Sequence, residues 1–266
     1  MIIDTHCHLD DERFYNDVDE VIASAYEKGV KGIIIPGADI HDLERAQALS
    51  HQYEHVFFAA GIHPYHHEQY NEDVLRTFLA DEKCVAVGEC GLDYFHLPEG
   101  ENEKALEKKE QQAIFAKHIE LAKAFKKPLI VHIRDANEDS KHILLEKNAS
   151  EVGGVLHCYN ASKHLLDLAT KGFYFGIGGV LTFKNAKQLV DILPLIPREK
   201  LLIETDAPYL TPMPHRGERN LPEYTVLVAE KMAELLHVSV TEVHTMTTQN
   251  AQKLFKALEK IKLGTI

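Results

Sequence analysis

Long apolar stretches are missing from this chain. None reaches the roughly 20 residues needed to span a bilayer. The start, MIIDTHCHLD, has neither a basic end nor an extended apolar core. No membrane span and no secretory signal are expected. Cysteine is scarce: Cys7, Cys84, Cys90 and Cys158 form no C-x-x-C pair and no disulfide framework, so a cytoplasmic location is expected. Positive charge is in the minority. With 29 basic against 41 acidic residues, the formal charge is −12. That argues against a surface coated with nucleic acid, but leaves room for a local basic patch or a cleft whose sign bound cations reverse. There is no G-x-G-x-x-G fingerprint, no linker, no low-complexity segment and no shift of composition. A dinucleotide fold is disfavoured, and a single domain over residues 1–266 is expected.

What is present is alternation. Eight short apolar runs recur: MIIDTHCH, VKGIIIPGA, VFFAAGIHP, VAVGECGLD, PLIVHIRDA, GGVLHCYN, FYFGIGGV and LLIETDAPYL. Helical patterns separate them, such as DVDEVIASAYEKG, HDLERAQALSHQYE, EQQAIFAKHIELAKAFKK and NAKQLVDILPLI. Apolar strands alternating with helices mean a parallel sheet covered by helices. Eight repeats in this length imply an α/β protein of the (β/α)8 barrel type, with a doubly wound open sheet as the alternative. The charged stretch LPEGENEKALEKKEQQ reads as a mobile loop leading into a helix, and the tail from Leu221 as one or two closing helices.

Six of the eight runs carry unusual polar residues near their C-terminal ends: His6 and His8, His63, Glu89, His132 and Arg134, His157, then Glu204 and Asp206. In a barrel those ends surround the mouth. Among 17 histidines a single strand histidine means little. Polar groups from six strand ends meeting at one face are harder to explain as packing, because imidazoles and charges are costly to bury alone. A hydrogen-bonded polar plug is the structural alternative. Strand parity points His6 and His8 one way and Cys7 the other. The same parity sends Cys90 and Cys158 toward the helix layer as small buried residues, so a nucleophilic thiol is not expected.

His-x-His offers two nitrogen donors to one ion, and Asp206 completes a three-ligand set with room for water. His132 and His157 would hold a second ion, with Glu89 bridging at a metal separation of about 3.5–4 Å. Asp206 is the expected proton acceptor and Glu89 the other catalytic carboxylate. Glu204 shares the parity and is expected as an outer partner or weak ligand; Asp4 is expected to orient an imidazole. His63, Arg134 and Arg216 are the expected phosphate contacts, with Arg219 a further possibility. Mixed nitrogen and oxygen donors suit Zn²⁺, Mn²⁺, Ni²⁺ or Fe²⁺ better than Mg²⁺.

The segments DTHCHLD, GIHP, GECGLDY, PLIVHIRDA, GGVLHCYNAS, GFYFGIGGVLTFKNAKQL and LLIETDAPYLTPMPHRGERNLP resemble the TatD family of metal-dependent deoxyribonucleases, within the amidohydrolase-like hydrolases. The likeness runs from Ile3 to about Ala257 and includes TQNAQKLF. It implies a (β/α)8 barrel and metal-dependent phosphodiester hydrolysis on DNA, trimming from the 3′ end. It also implies two divalent ions (Zn, Mn, Ni or Mg) on His6, His8, Glu89, His132, His157 and Asp206. Superfamily relatives often bridge with a carboxylated lysine, where this chain has Glu89. Two departures fall on the rim: YNAS where the family often has Ser-Gly-Ser, with Ala161 for Gly, and the acidic segment after Phe95. The partner expected is single-stranded DNA or a 3′ end, met by a monomer, and one or two of Tyr65, Tyr94, Phe95, Tyr159 and Tyr209, which follow strand ends, would stack on its terminal base. One rival reading is a hydrolase of small amides, lactones or phosphoesters on the same fold; the other is a non-enzymatic barrel whose metals serve structure or partner binding, against which the intact and cysteine-free ligand set argues.

Overall fold

The computed structural model describes residues 1–261. Eight parallel strands lie in sequence order in one sheet. They are β1 Ile2–Asp4, β2 Val30–Ile35, β3 Val56–Ala60, β4 Cys84–Asp93, β5 Leu129–Arg134, β6 Gly154–Leu156, β7 Phe173–Ile177 and β8 Leu201–Ile203. β1 and β8 close the ring through Thr5 N–H to Ile203 O, His8 N–H to Ala207 O and Asp206 N–H to His6 O. The result is the expected single-domain (β/α)8 barrel.

Helices α1 Val18–Glu27, α2 Leu43–Gln52, α3 Glu72–Leu79, α4 Glu101–Phe125, α5 Asn137–Glu146 and α6 Lys187–Ile192 surround it, followed by α7 Thr225–Leu236 and α8 Val240–Leu254. α1 shows why: Val21, Ile22 and Ala25 fall on one stripe and are buried. α6 is shorter than its pattern, because Pro194 falls in the 3-10 turn Leu193–Leu195 that follows it. Between β6 and β7 the chain runs as a 3-10 segment, Lys163–Lys171.

The charged stretch after β4 corrects the sequence reading. It is helix from Glu101 onward, and only the residues before it form a loop. Glu, Lys, Ala and Gln are good helix formers, and Glu101 and Glu103 sit where the helix dipole favours acids. Its polarity marks an exposed helix half. The buried stripe begins at Gln111 and continues through Phe115, His118 and Ile119.

The core has two layers. One lies between strands and helices and includes Ile2, Ile33, Phe58, Val87, Val131 and Phe175. The other fills the barrel with Ile3, Ile34, Phe57, Ala86, Ile130, Val155 and Leu202, closed below by Leu254, Phe255 and Leu258 at the end of α8. With the bottom filled by apolar side chains, the polar strand ends gather at the top.

Candidate metal centre

Two breaks in strand regularity aim the site. On β4, Val87 pairs with Leu129 and Cys90 with Val131, so three residues of β4 advance against two of β5. Ala86 faces the barrel interior before this bulge; Cys90 and Leu92 face the helices after it. Glu89, Gly91 and Asp93 are thereby turned inward. Gly91 is required: at φ +144° a Cβ would lie 2.0 Å from His132 O. On β1, Ile3 faces inward, and strict alternation would turn His6 outward. Regular strand stops at Asp4, and the chain resets so that Cys7 packs in the outer layer. The Asp4 carboxylate holds this reset, accepting from His6 N–H at 3.2 Å, Thr205 N–H at 3.0 Å and the Thr205 hydroxyl at 2.6 Å. Asp4 was expected to orient an imidazole; it orients backbone instead.

At the centre lies Glu89, 3% exposed. Its Oε2 is 3.3 Å from His6 Nε2 and 3.8 Å from His8 Nε2. Its Oε1 is 2.7 Å from His157 Nε2, 2.9 Å from His132 Nδ1 and 3.7 Å from His63 Nε2. Asp206 Oδ1 stands 3.6 Å from His6 Nε2 and 3.5 Å from His8 Nε2. Three sets of donor atoms each converge within 4.8 Å: His6, His8 and Asp206; His6, Glu89 and His157; His63, Asp93 and His132.

The donor set fits metal. His6 Nε2 and His8 Nε2 are 3.2 Å apart, and His132 Nδ1 and His157 Nε2 are 3.0 Å apart. Two imidazole lone pairs at that distance repel unless a proton or a cation lies between them. Carboxylate oxygens beside each pair complete the nitrogen and oxygen environment of a catalytic divalent cation.

Three comparisons bear on the family. The family model described as TatD related DNase matches residues 3–256. The chain belongs to the TatD-related DNase family. YabD of Bacillus subtilis strain 168, named an uncharacterized metal-dependent hydrolase, is 40% identical over 260 residues, covering 96% of this chain and 99% of that protein. A Salmonella typhimurium strain LT2 protein named 3′-5′ ssDNA/RNA exonuclease TatD is 34% identical over 267 residues, covering 97% and 100%. The crystal structure of YjjV, a TatD homolog of Escherichia coli K12, superimposes with a TM-score of 0.86 at 30% identity, covering 96% and 98%. This TatD-family chain is a metal-dependent hydrolase. Among its described residues no helix is long and apolar enough to cross a membrane.

Electrostatics divide the imidazoles of this TatD site. Burial, then the neighbouring His157, lowers the His6 imidazole to about 4, so it is neutral and able to ligate. Burial also lowers His63, to about 3, with His132 adding to the effect. Burial pulls His132 down too, but the Asp93 and Glu89 carboxylates outweigh it and lift the ring to about 9. Against the same burial, Asp206 and Glu89 hold His8 at about 9. Burial opposes ionisation of Glu89, yet the surrounding imidazoles hold it well below the usual carboxylate range.

Asp93 is the residue that the sequence reading does not name. It is 1% exposed, and its Oδ2 lies 2.9 Å from His132 Nε2. Its spacing of four from Glu89 on one strand was the available signal. Glu204 is fully buried; its Oε1 accepts from Cys158 N–H and stands 3.8 Å from His157 Nδ1. Gly176 makes room for it, since a Cβ there would meet Glu204 Oε2 at 2.1 Å.

Around the rim, His63 Nδ1 accepts from Tyr65 N–H at 3.1 Å. The ring proton of neutral His63 therefore sits on Nε2 and points into the site. Arg134 lies over the Phe95 ring at 3.6 Å and lines the mouth cavity. Arg216 lies over Phe183 at 4.1 Å, outside that lining. Arg219 is committed elsewhere, bound to Asp17 through both terminal nitrogens. Tyr94 and Tyr159 spend their hydroxyls on Asp139 and Ser162 O, whereas Phe95 and Tyr209 are half exposed. Cys158 departs from expectation. β6 ends at Leu156, Cys158 takes a left-handed conformation at φ +43°, and it lines the mouth cavity instead of the helix layer. Cys7 and Cys90 are buried as expected.

Proposed function

We propose that this chain is a two-metal phosphodiesterase acting on DNA, an exonuclease working from the 3′ end of a single strand. The observation that carries the reading is Glu89, whose two oxygens face two separate imidazole sets, as a carboxylate shared by two ions would. The Salmonella relative's name, 3′-5′ ssDNA/RNA exonuclease, supports the substrate and polarity. His6, His8 and Asp206 would hold one ion and His132 and His157 the other, with Glu89 between. Divalent ions bound there supply a water acidified toward neutrality and positive charge against phosphoryl oxygens.

The chain's own groups do the rest. Asp206, held ionised by His8 and the neighbouring imidazoles against the pull of burial, is the proton acceptor. Asp93 fixes His132 with Nδ1 turned to the centre. His63 offers its Nε2 proton to a phosphate oxygen, and Arg134, fixed on Phe95, offers a planar fork to the same group or the next.

The test is metal-stripped protein incubated with 3′- or 5′-labelled single-stranded DNA, restoring Mg²⁺, Mn²⁺ or Zn²⁺ in turn. Stepwise shortening from the 3′ end, dependent on metal and absent from a Glu89→Ala/Asp206→Ala variant, is the expected result. Equal trace cleavage by both proteins would assign the nuclease to a contaminant.

A further inference from the structure

The mouth is electrostatically lopsided. On its β1–β2 side the loops carry Asp10, Asp11, Asp39 and Asp42. Of these, only Asp11 pairs with an arginine among the described residues, namely Arg13. Asp10 is 5% exposed and leaves one carboxylate oxygen without a partner. Asp10 is buried and Asp11 is matched by Arg13, so a phosphate brought to that side meets the partly exposed carboxylates of Asp39 and Asp42, which no arginine among the described residues pairs with.

On the β5–β8 side a cavity of about 730 Å³ continues from His132, His157 and Asp206. That lies within the roughly 300–1,000 Å³ that encloses a small organic ligand. Ile133, Val180, Leu189 and Leu210 give it apolar walls. Among the described residues that line it, Arg134 and Lys187 are the basic side chains and Asp206 is the one acid. Asn185 and Gln188 bring two exposed amides to the same edge. Apolar faces for a flat ring, amides for its polar edge and cations for phosphate form one chemistry, that of a nucleotide.

Resting on the nuclease reading above, we infer that the polymeric substrate crosses the mouth on one side only. The nucleotide next to the scissile phosphate lies in the β5–β8 cavity. Asn185 and Gln188 face its base, and Lys187 and Arg134 take the adjoining phosphate. The strand avoids the β1–β2 acids.

The test compares kcat/KM on a single-stranded oligonucleotide with kcat/KM on bis(p-nitrophenyl) phosphate, using metal-loaded protein. Lys187→Glu is expected to lower the ratio on the order of tenfold and to reduce the salt slope of the oligonucleotide reaction by about one. Asn185→Ala/Gln188→Ala is expected to change the ranking of homopolymer substrates. Asp42→Lys, on the opposite side, is expected to hold the ratio within about twofold. An unchanged ratio and slope in Lys187→Glu, or a raised ratio in Asp42→Lys, would overturn the one-sided path. Cleavage of the small diester without cleavage of any oligonucleotide would instead overturn the nuclease reading itself.

Discussion

Asp93 Oδ2 lies 2.9 Å from His132 Nε2, while the other nitrogen of the same ring lies 2.9 Å from Glu89 Oε1. One imidazole thus joins two carboxylates, and Asp93 fixes which of its nitrogens faces the centre. An aspartate behind a ligating histidine fixes the tautomer and raises ligand basicity. Asp93→Asn keeps the shape and removes the charge, and is expected to weaken metal binding or activity by about 10–100-fold. Competitive metal titration against a chromophoric chelator measures this. Wild-type affinity in the variant would show that His132 needs no such partner.

Glu89→Gln leaves a side chain of similar size but removes the negative charge and turns one acceptor oxygen into an NH2 donor that cannot ligate a cation. The carboxylate faces five histidines, of which His6, His8, His132 and His157 are the proposed ligands and His63 is the fifth, so both proposed ions lose a ligand together. The count of bound divalent ions per chain, read by elemental analysis after gel filtration, is expected to fall. Retention of the wild-type count would remove Glu89 from the bridging role.

His118 gives a pH prediction outside the metal centre. It is fully buried, its Nε2 accepts from Ile62 N–H at 3.0 Å, and its Nδ1 sits 2.8 Å from Ile114 O. Burial lowers the ring to about 4 from the ordinary 6.5. The folded chain resists the proton that the unfolded chain accepts. This contribution to stability is therefore complete above 6.5 and is lost as pH falls from there toward 4. His118→Gln is expected to be less stable at neutral pH but to lose less on acidification. Urea denaturation at about pH 7 and about pH 5 checks it, and parallel losses in both proteins would refute it.

The barrel floor offers a separate stability prediction. Phe255 is 1% exposed in the cluster that closes the lower barrel interior. Phe255→Ala is expected to cost about 3–5 kcal/mol, with metal affinity at the opposite end unchanged. Ser239 and Glu242 form a capping box at the start of α8, and Ser239→Ala is expected to cost about 1 kcal/mol. Thermal melts and metal titration of both variants separate floor from mouth.

The eight apolar runs were legible because burial on both faces demands near-continuous Val, Ile, Leu and Phe, and each run became a strand. The polar ends of those runs were legible for the converse reason: imidazoles and carboxylates have no place in such a strand unless something pairs them. The charged segment before Gln111 was misread because exposed helix and loop are both polar, and its apolar stripe begins only at Gln111. Arg219 could not be sorted from Arg134 by sequence, since the partner Asp17 lies 202 residues away along the chain.

By itself the sequence determined the alternation of strand and helix, and which donor types stand at which strand ends. Both follow from local periodicity and the cost of burying charge. Tertiary structure alone decided where those donors point. Three residues of β4 pass two of β5 and turn Glu89 and Asp93 inward. Asp4 is drawn to Thr205 on the far side of the barrel seam. Cys158 escapes strand parity once β6 has ended. A bulge, a seam and a strand end depend on what the neighbouring strand offers for pairing, and residues distant in the chain set that offer.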